Sequence, residues 1–157
     1  MFAAIVNSPY VHVLHGLSWL PQTLETIHMT FHSLLVGAFL LMALRLLGLG
    51  SAISVRSLAK YLLPACWIAV VMQVLSGGLM FVQAADQYAV NFYFLWKIIA
   101  VALGIGLLAW IQLAIGRDGG NWDQSGRVPM RIRLIAGAAI PVWFGALVFG
   151  RFIYTQL

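Results

Sequence analysis

The first long apolar run of the chain opens with the stretch Leu24–His32, whose sequence is LETIHMTFH. It contains the only glutamate of the protein and two of its four histidines. Four of its side chains occupy the i, i+3, i+4 and i+7 positions of a helix, namely Glu25, His28, Met29 and His32. Residues at this spacing share one face, which we call the histidine stripe. Because ionisable groups at the mouth of a membrane bundle are costly and usually functional, the stripe is the first candidate site.

The composition of the whole chain is that of an integral membrane protein. Of the 157 residues, 62% are hydrophobic and 8% are charged, whereas soluble domains carry roughly 25% charged residues. The mean hydropathy is +0.95 and the formal net charge is +5. The basic residues are divided between loops rather than gathered in one patch, which is typical of membrane topology signals and argues against nucleic-acid binding.

Four apolar segments are each long enough to cross a hydrocarbon core of roughly 30 Å as a helix. We predict these spans at about residues 26–48, 61–83, 92–116 and 132–154. Residues 1–23 mix prolines with histidines and aromatic residues, which favours a short helix in the interface plane. The sequence therefore predicts an all-α integral membrane protein. It forms a single domain over residues 1–157, a four-transmembrane-helix bundle with an N-terminal interfacial helix.

The segments between the spans are predicted to be simple connections. Arg45 lies in the last turn of the first span and is expected to snorkel outward, and Arg56 and Lys60 follow in a short loop. Pro64 is expected in the first turn of the second span, where proline is tolerated. Residues 117–127 are polar and glycine-rich without a phosphate-binding pattern, so we predict a plain connector there.

Small and polar residues inside the spans predict contacts between helices. Gln73 and Ser76 lie near mid-membrane and are expected to bond a neighbouring helix, which Gly77-Gly78 would allow to approach closely. Trp143 lies deep in the fourth span and is interpreted as a packing residue.

The fourth span also carries Gly137, Pro141 and Gly145 on one face at four-residue spacing. Proline removes one helical hydrogen bond and crowds the carbonyl four residues earlier. We therefore expect a kinked helix with a shallow groove free of side chains, which could accept a flat macrocycle.

The distribution of lysine and arginine predicts the orientation. Seven basic residues flank the first and third loops: Arg45, Arg56, Lys60, Arg117, Arg127, Arg131 and Arg133. Only Lys97 and Arg151 lie at the opposite membrane face. Since basic loops stay in the cytoplasm, we expect a bacterial cytoplasmic membrane protein with both termini and the histidine stripe on the periplasmic side.

Haem b is one cofactor that these residues suggest. His28 and His32 lie one turn apart, so they cannot be the two axial ligands of one haem, which approach from opposite faces. A bis-histidine haem needs one of them together with His12 or His15, or a histidine of a second protomer. Lys97 and Arg151 are expected at the same membrane face, where they could bind the haem propionates.

Copper is the alternative cofactor. Two histidines one turn apart can bind one metal ion jointly. With two imidazoles, the thioether of Met29 and the carboxylate of Glu25, the ligand set suits copper better than a hard ion. A di-iron centre is excluded because it needs several carboxylates from different helices, and the three aspartates are all expected in loops.

Several short motifs resemble the copper resistance D domain and an uncharacterised family allied to it, both small bacterial four-helix membrane proteins. The motifs are His28 on the first span, LRLLGL at 44–49, Leu63-Pro64, SGGL at 76–79 and FLWK at 94–97. A weaker likeness is to bacterial cytochrome b561 and to the haem-binding membrane protoporphyrinogen oxidases. The chain departs from the b561 pattern because spans two to four contain no histidine. The resemblance implies copper or haem b at the outer face.

Three functions remain open from the sequence. The first is a membrane electron-transfer subunit, an oxidoreductase component that binds haem b or meets quinone near the periplasmic face. The second is a copper-binding or copper-transport protein, and the third is a structural subunit of a larger membrane complex. Because small-residue faces let helices approach closely in lipid, Gly104, Gly137 and Gly145 predict a homodimer or a larger assembly with the fourth span at the contact.

Overall fold

The structure is a computed structural model that describes residues 6–155, apart from the side chains of Tyr10 and Tyr154. Its elements are α1 (Pro9–His15), α2 (Leu20–Leu47), α3 (Val55–Gln83), α4 (Ala85–Tyr88), α5 (Phe92–Ser125), α6 (Met130–Phe152) and a 3₁₀ turn (Ile153–Thr155). Within residues 6–155 there is no strand. Four helices, α2, α3, α5 and α6, are long and apolar enough to cross a membrane. The predicted fold class is confirmed: the chain is an all-α multi-pass membrane protein. Residues 1–5 and 156–157 of the predicted domain lie outside the described residues.

The four long helices form a ring. Helix α2 packs against α3 and α6, and α5 packs against the same two helices, so α2 and α5 face each other across a diagonal. One seam of α2 faces the centre of the ring with alternating spacings of four and three residues: His28, His32, Leu35, Phe39, Met42 and Leu46. This period of about 3.5 residues is that of left-handed helix bundles. Both histidines of the stripe are therefore part of the bundle's core seam.

An aspartate at the opposite end of the bundle joins α5 to α3. The Asp123 carboxylate accepts hydrogen bonds from the Ser54 hydroxyl at 2.7 Å, from the Val55 amide at 2.6 Å and from the Arg56 amide at 3.1 Å. The guanidinium of Arg45 lies 3.8 Å from the same carboxylate. A carboxylate at a helix N-terminus satisfies amides that have no partner inside the helix. Asp123 therefore caps α3 and fixes α2 and α5 to its start.

The prediction of a plain connector over residues 117–127 is wrong, because helix α5 continues to Ser125. Glycines inside a helix each cost about 1 kcal/mol relative to alanine, but tertiary contacts outweigh that cost here. The Trp122 side chain is buried and Asp123 binds the start of α3. The chain turns only after Gly126, whose φ of +66° ends the helix in the left-handed region that favours glycine.

The structure also differs from the local prediction at Arg45, Arg56, Lys60 and Pro64. Helix α3 begins at Val55, so Arg56 and Lys60 lie on the helix rather than in a loop. Pro64 is consequently inside α3 and exposed, not in its first turn. Arg45 does not snorkel outward: it is buried and donates to the carbonyl oxygen of Ile53 as well as pairing with Asp123.

The Asp123 cap is open to a direct test. Replacing Asp123 with alanine leaves the first amides of α3 without their acceptor, and we expect the free energy of unfolding to fall by about 2 kcal/mol. Asp118→Ala, an exposed aspartate on the same helix, should change it by less than about 0.5 kcal/mol. The measurement is reversible unfolding in mixed detergent micelles. Equal effects of the two substitutions would contradict the capping role.

Candidate functional site

A cavity of about 410 Å³ lies where the start of α2, the end of α3, the start of α5 and the end of α6 meet. All four members of the histidine stripe, Glu25, His28, Met29 and His32, line it. They do so unequally, because His28 and His32 are buried whereas Glu25 and Met29 are exposed. The other described residues that line the cavity are mostly apolar, and the polar ones are Gln73, Tyr88, Lys97, Trp143 and Arg151.

The ring of His28 is held from both sides. Its Nδ1 lies 2.9 Å from the Ser76 hydroxyl, and its Nε2 lies 3.2 Å from Lys97 Nζ. The Ser76 hydroxyl donates to the Met72 carbonyl at 2.6 Å, and a carbonyl only accepts. The hydroxyl therefore accepts from His28 Nδ1–H, so Nε2 carries no hydrogen and accepts from Lys97. His28 is thereby a neutral imidazole that links α2 to α3 and, across the diagonal, to α5.

Two glycines make room for this arrangement. A Cβ atom on Gly77 of α3 would lie 3.0 Å from His28 Cε1, closer than ordinary contacts allow. A Cβ on Gly150 of α6 would lie 3.3 Å from Lys97 Nζ. The sequence analysis predicted that Gly77 allows close approach of a neighbouring helix, and the structure shows that the approaching group is the imidazole. Ser76 and Gln73 bond α2 as predicted, since Gln73 Nε2 donates to the His28 carbonyl.

His32 and Trp143 each carry a buried ring nitrogen without a partner. The side chains are 5% and 1% exposed, and within residues 6–155 neither His32 Nε2 nor Trp143 Nε1 has a hydrogen-bond partner. Both residues line the cavity. A buried polar group without a partner costs about 1–3 kcal/mol. An acceptor placed in the cavity would recover that free energy at the indole N–H and at His32 in its Nε2–H form.

The indole of Trp143 rests on a third glycine. A Cβ on Gly104 of α5 would lie 2.8 Å from Trp143 Cζ2, and the ring of Phe39 lies 6.2 Å from the indole, centroid to centroid. The space beside Gly104 is therefore occupied by a side chain of the same protomer. Gly137 likewise has Leu47 at 3.6 Å from its Cβ position. Two of the three glycines expected at an oligomer contact thus have neighbours inside the bundle.

The outer end of the cavity combines charged and aromatic groups. Glu25 and Arg151 are exposed there, and Lys97 is half-buried. Burial, with a smaller contribution from the Glu25 carboxylate, raises the pKa of Tyr88, which lies in α4 between two spans. The Tyr88 phenol therefore stays protonated at neutral pH. Its ring packs on Phe94 with the centroids 5.5 Å apart.

His12 and His15 are not brought to this cavity. Both are exposed on the short helix α1, and His15 Nε2 lies 3.1 Å from the Gln83 carbonyl. Neither residue lines the cavity. The predicted pairing of a stripe histidine with His12 or His15 therefore has no counterpart in the geometry of one protomer.

The predicted groove on α6 also lies elsewhere. The helix runs without interruption from Met130 to Phe152, and Pro141 is exposed. Gly137, Pro141 and Gly145 do not line the histidine cavity. The face of α6 that does line it carries Trp143 and Gly150. The sequence analysis interpreted Trp143 as a packing residue and did not single out Gly150.

The donor set can be compared with the two cofactors that the sequence suggests. For haem b, His32 offers one free ring nitrogen, and the other stripe histidine is bound on both sides. The described residues thus fit a bis-histidine haem poorly. For copper, the ammonium of Lys97 lies against His28, which repels a metal cation. Among residues 6–155, no group of three or more His, Cys, Asp or Glu side chains is arranged to hold a metal ion.

Comparisons with known proteins add no relative to this picture. Neither protein-family models, nor curated proteins, nor solved structures gave a match to the chain. The site is therefore interpreted from its own contacts.

The support of Trp143 by Gly104 makes a testable prediction. We expect Gly104→Ala to push the indole out of place and to lower the free energy of unfolding by about 1–3 kcal/mol. The matched control is Gly106→Ala on the same helix, where nothing lies within 4 Å of the Cβ position. It should leave stability unchanged or raise it slightly, because alanine is the better helix former. Thermal unfolding of both variants in detergent measures the difference, and an equal response would refute the close contact.

Proposed function

We propose that the protein is a membrane electron-transfer component whose cavity binds the ring of a quinone. The observation that carries the proposal is that two residues lining one largely apolar cavity, His32 and Trp143, each carry a buried ring nitrogen with no hydrogen-bond partner among the described residues. A quinone ring is flat and apolar, and its carbonyl oxygens accept hydrogen bonds without donating any. It therefore matches a pocket with apolar walls and a small number of placed polar groups.

The surroundings of the cavity support entry from the lipid. Met29, Val74 and Leu147 line the cavity and are exposed on the outside of the bundle. In a bilayer, exposed apolar side chains on these helices face hydrocarbon. A ligand with a prenyl tail would place its ring between the helices and leave the tail among lipid chains.

Quinone is favoured over the two metal-based functions for reasons of geometry and charge. A bis-histidine haem lacks its second axial histidine within one protomer, and copper would have to replace a lysine ammonium beside His28. Quinone requires neither change. It also uses the hydrogen-bonding capacity of Trp143, which neither haem nor copper coordination would satisfy.

Orientation and assembly are part of the proposal. The distribution of basic residues supports a bacterial cytoplasmic membrane protein with both termini and the cavity on the periplasmic side. One ring site in a four-helix bundle is a small part of a redox path, so electrons reach it from a partner subunit or a second copy. Gly145, half-buried on α6 with its nearest neighbour in the same helix, is the remaining candidate for that contact.

Binding of menadione, a quinone without a prenyl tail, tests the proposal. Calorimetric titration of the protein in nanodiscs should show saturable binding at one site. His32→Leu and Trp143→Phe should each weaken binding by about tenfold, the loss of one hydrogen bond. The matched control is His12→Leu, which removes an exposed histidine outside the cavity and should leave the affinity unchanged.

Two results would contradict the quinone proposal. One is menadione uptake by the protein-containing nanodiscs no greater than uptake by empty ones. The other is equal weakening by His32→Leu and His12→Leu. An intense Soret band that is lost in His32→Leu would instead support the haem b hypothesis, and stoichiometric copper lost in the same variant would support the copper hypothesis.

A further inference from the structure

The charge of the cavity bears on which quinones it takes. Within residues 6–155, its formally charged side chains are two cations, Lys97 and Arg151, and one carboxylate, Glu25. Arg151 and Glu25 are exposed at the mouth, whereas the Lys97 side chain lies deeper, against His28 and over Gly150. Exposed charges are screened by water and salt, while a charge among apolar walls is not. Lys97 therefore dominates the electrostatic potential inside the cavity.

Lys97 has donor capacity left over. Its ammonium has three N–H groups, of which one is used among the described residues, toward His28 Nε2. That bond cannot neutralise the charge, because His28 is an uncharged acceptor. Its Nδ1–H donates to the Ser76 hydroxyl, which in turn donates to the Met72 carbonyl. Lys97 thus faces the cavity as an ammonium held in place by an uncharged partner.

The groups around Lys97 can be taken helix by helix. Helix α3 contributes uncharged side chains to the cavity, among them Gln73. Among the side chains that the structure describes, the titratable or charged groups of the other elements at the cavity are Glu25, His28 and His32 of α2, Tyr88 of α4 and Arg151 of α6. Tyr88 is protonated at neutral pH, and Glu25 is one turn nearer the mouth than His28. The balance of charge from these groups in the buried part of the cavity, where Lys97 lies against His28, is positive.

We infer that the cavity selects an acidic quinone, one that carries a ring hydroxyl and binds as its oxyanion. This inference rests on the proposed quinone site and adds a second recognition element to it. The oxyanion accepts from Lys97, and the neighbouring carbonyls accept from His32 and Trp143. A charge-assisted hydrogen bond is roughly twice as strong as a neutral one, so the ionised ring is preferred over its neutral counterpart.

Two matched compounds separate this inference from the proposal beneath it. They are a 2-hydroxy-3-alkylnaphthoquinone, whose anion absorbs visible light, and its 2-methoxy ether, which cannot ionise. In nanodiscs, the hydroxy compound should bind at least about tenfold more tightly than the ether at a pH where it ionises. Its visible band should also persist to a pH about one unit lower when bound to protein than in empty nanodiscs.

Variants of Lys97 provide the control on the charge. Lys97→Met should remove the preference for the hydroxy compound and reverse the shift of its titration, since an apolar cavity favours the neutral form. Lys97→Arg keeps the charge and should retain the preference. Lys60→Met, a substitution of an exposed lysine outside the cavity, should behave like the unmodified protein.

The outcomes distinguish a failure of the quinone site from a failure of the preference for an oxyanion. If neither compound binds the unmodified protein, the quinone site itself is wrong, and this inference falls with it. If both bind equally well and the bound titration is unshifted, the quinone site stands and the preference for an oxyanion is overturned. Should Lys97→Met fail to fold, the comparison of the two compounds on the unmodified protein and on Lys97→Arg still decides the question.

Discussion

The hydrogen bonds of the His28 ring hold together the end of the bundle that contains the cavity. In hydrocarbon no water is present to satisfy a polar side chain, so a buried imidazole must find its partners on neighbouring helices. His28 finds them on α3 and α5, and so ties three of the four spanning helices at one end. Because the Ser76 hydroxyl donates to the Met72 carbonyl, it accepts from His28 Nδ1–H, and His28 is neutral. The same hydrogen bonds therefore leave the positive charge of Lys97 in the cavity.

Glycine placement is the constraint that makes this possible. Gly77, Gly104 and Gly150 lie on three different helices, and each would carry a Cβ atom within 3.3 Å of His28, Trp143 or Lys97. Each of these side chains thus packs against a backbone position that a Cβ atom would crowd. The result is a pocket whose polar groups are fixed by packing before a ligand enters, the preorganisation that binding sites require.

The sequence predicts the four-helix bundle and the position of the histidine stripe, but it does not predict the length of α5 or the surroundings of Trp143. Four apolar runs predict the bundle, and the helical spacing of the histidine stripe places its residues at one cavity. The polar residues Gln73 and Ser76 were predicted to bond another helix because lipid offers them no alternative. The extension of α5 to Ser125 could not be predicted, since it depends on Asp123 reaching an α3 terminus 68 residues earlier in the chain. The sequence also could not show that the indole N–H of Trp143 has no partner among the described residues, because this depends on how the helices pack.

Vibrational spectroscopy of a bound quinone tests the central claim most directly, because hydrogen bonds lower the stretching frequency of a carbonyl. The measurement is an infrared difference spectrum of menadione with ¹³C-labelled carbonyls, recorded in protein-containing and in empty nanodiscs. The account predicts that binding moves the carbonyl bands to lower wavenumber and that His32→Leu and Trp143→Phe each reverse part of the shift. Bound menadione with carbonyl bands identical to those of menadione dissolved in lipid would contradict the account.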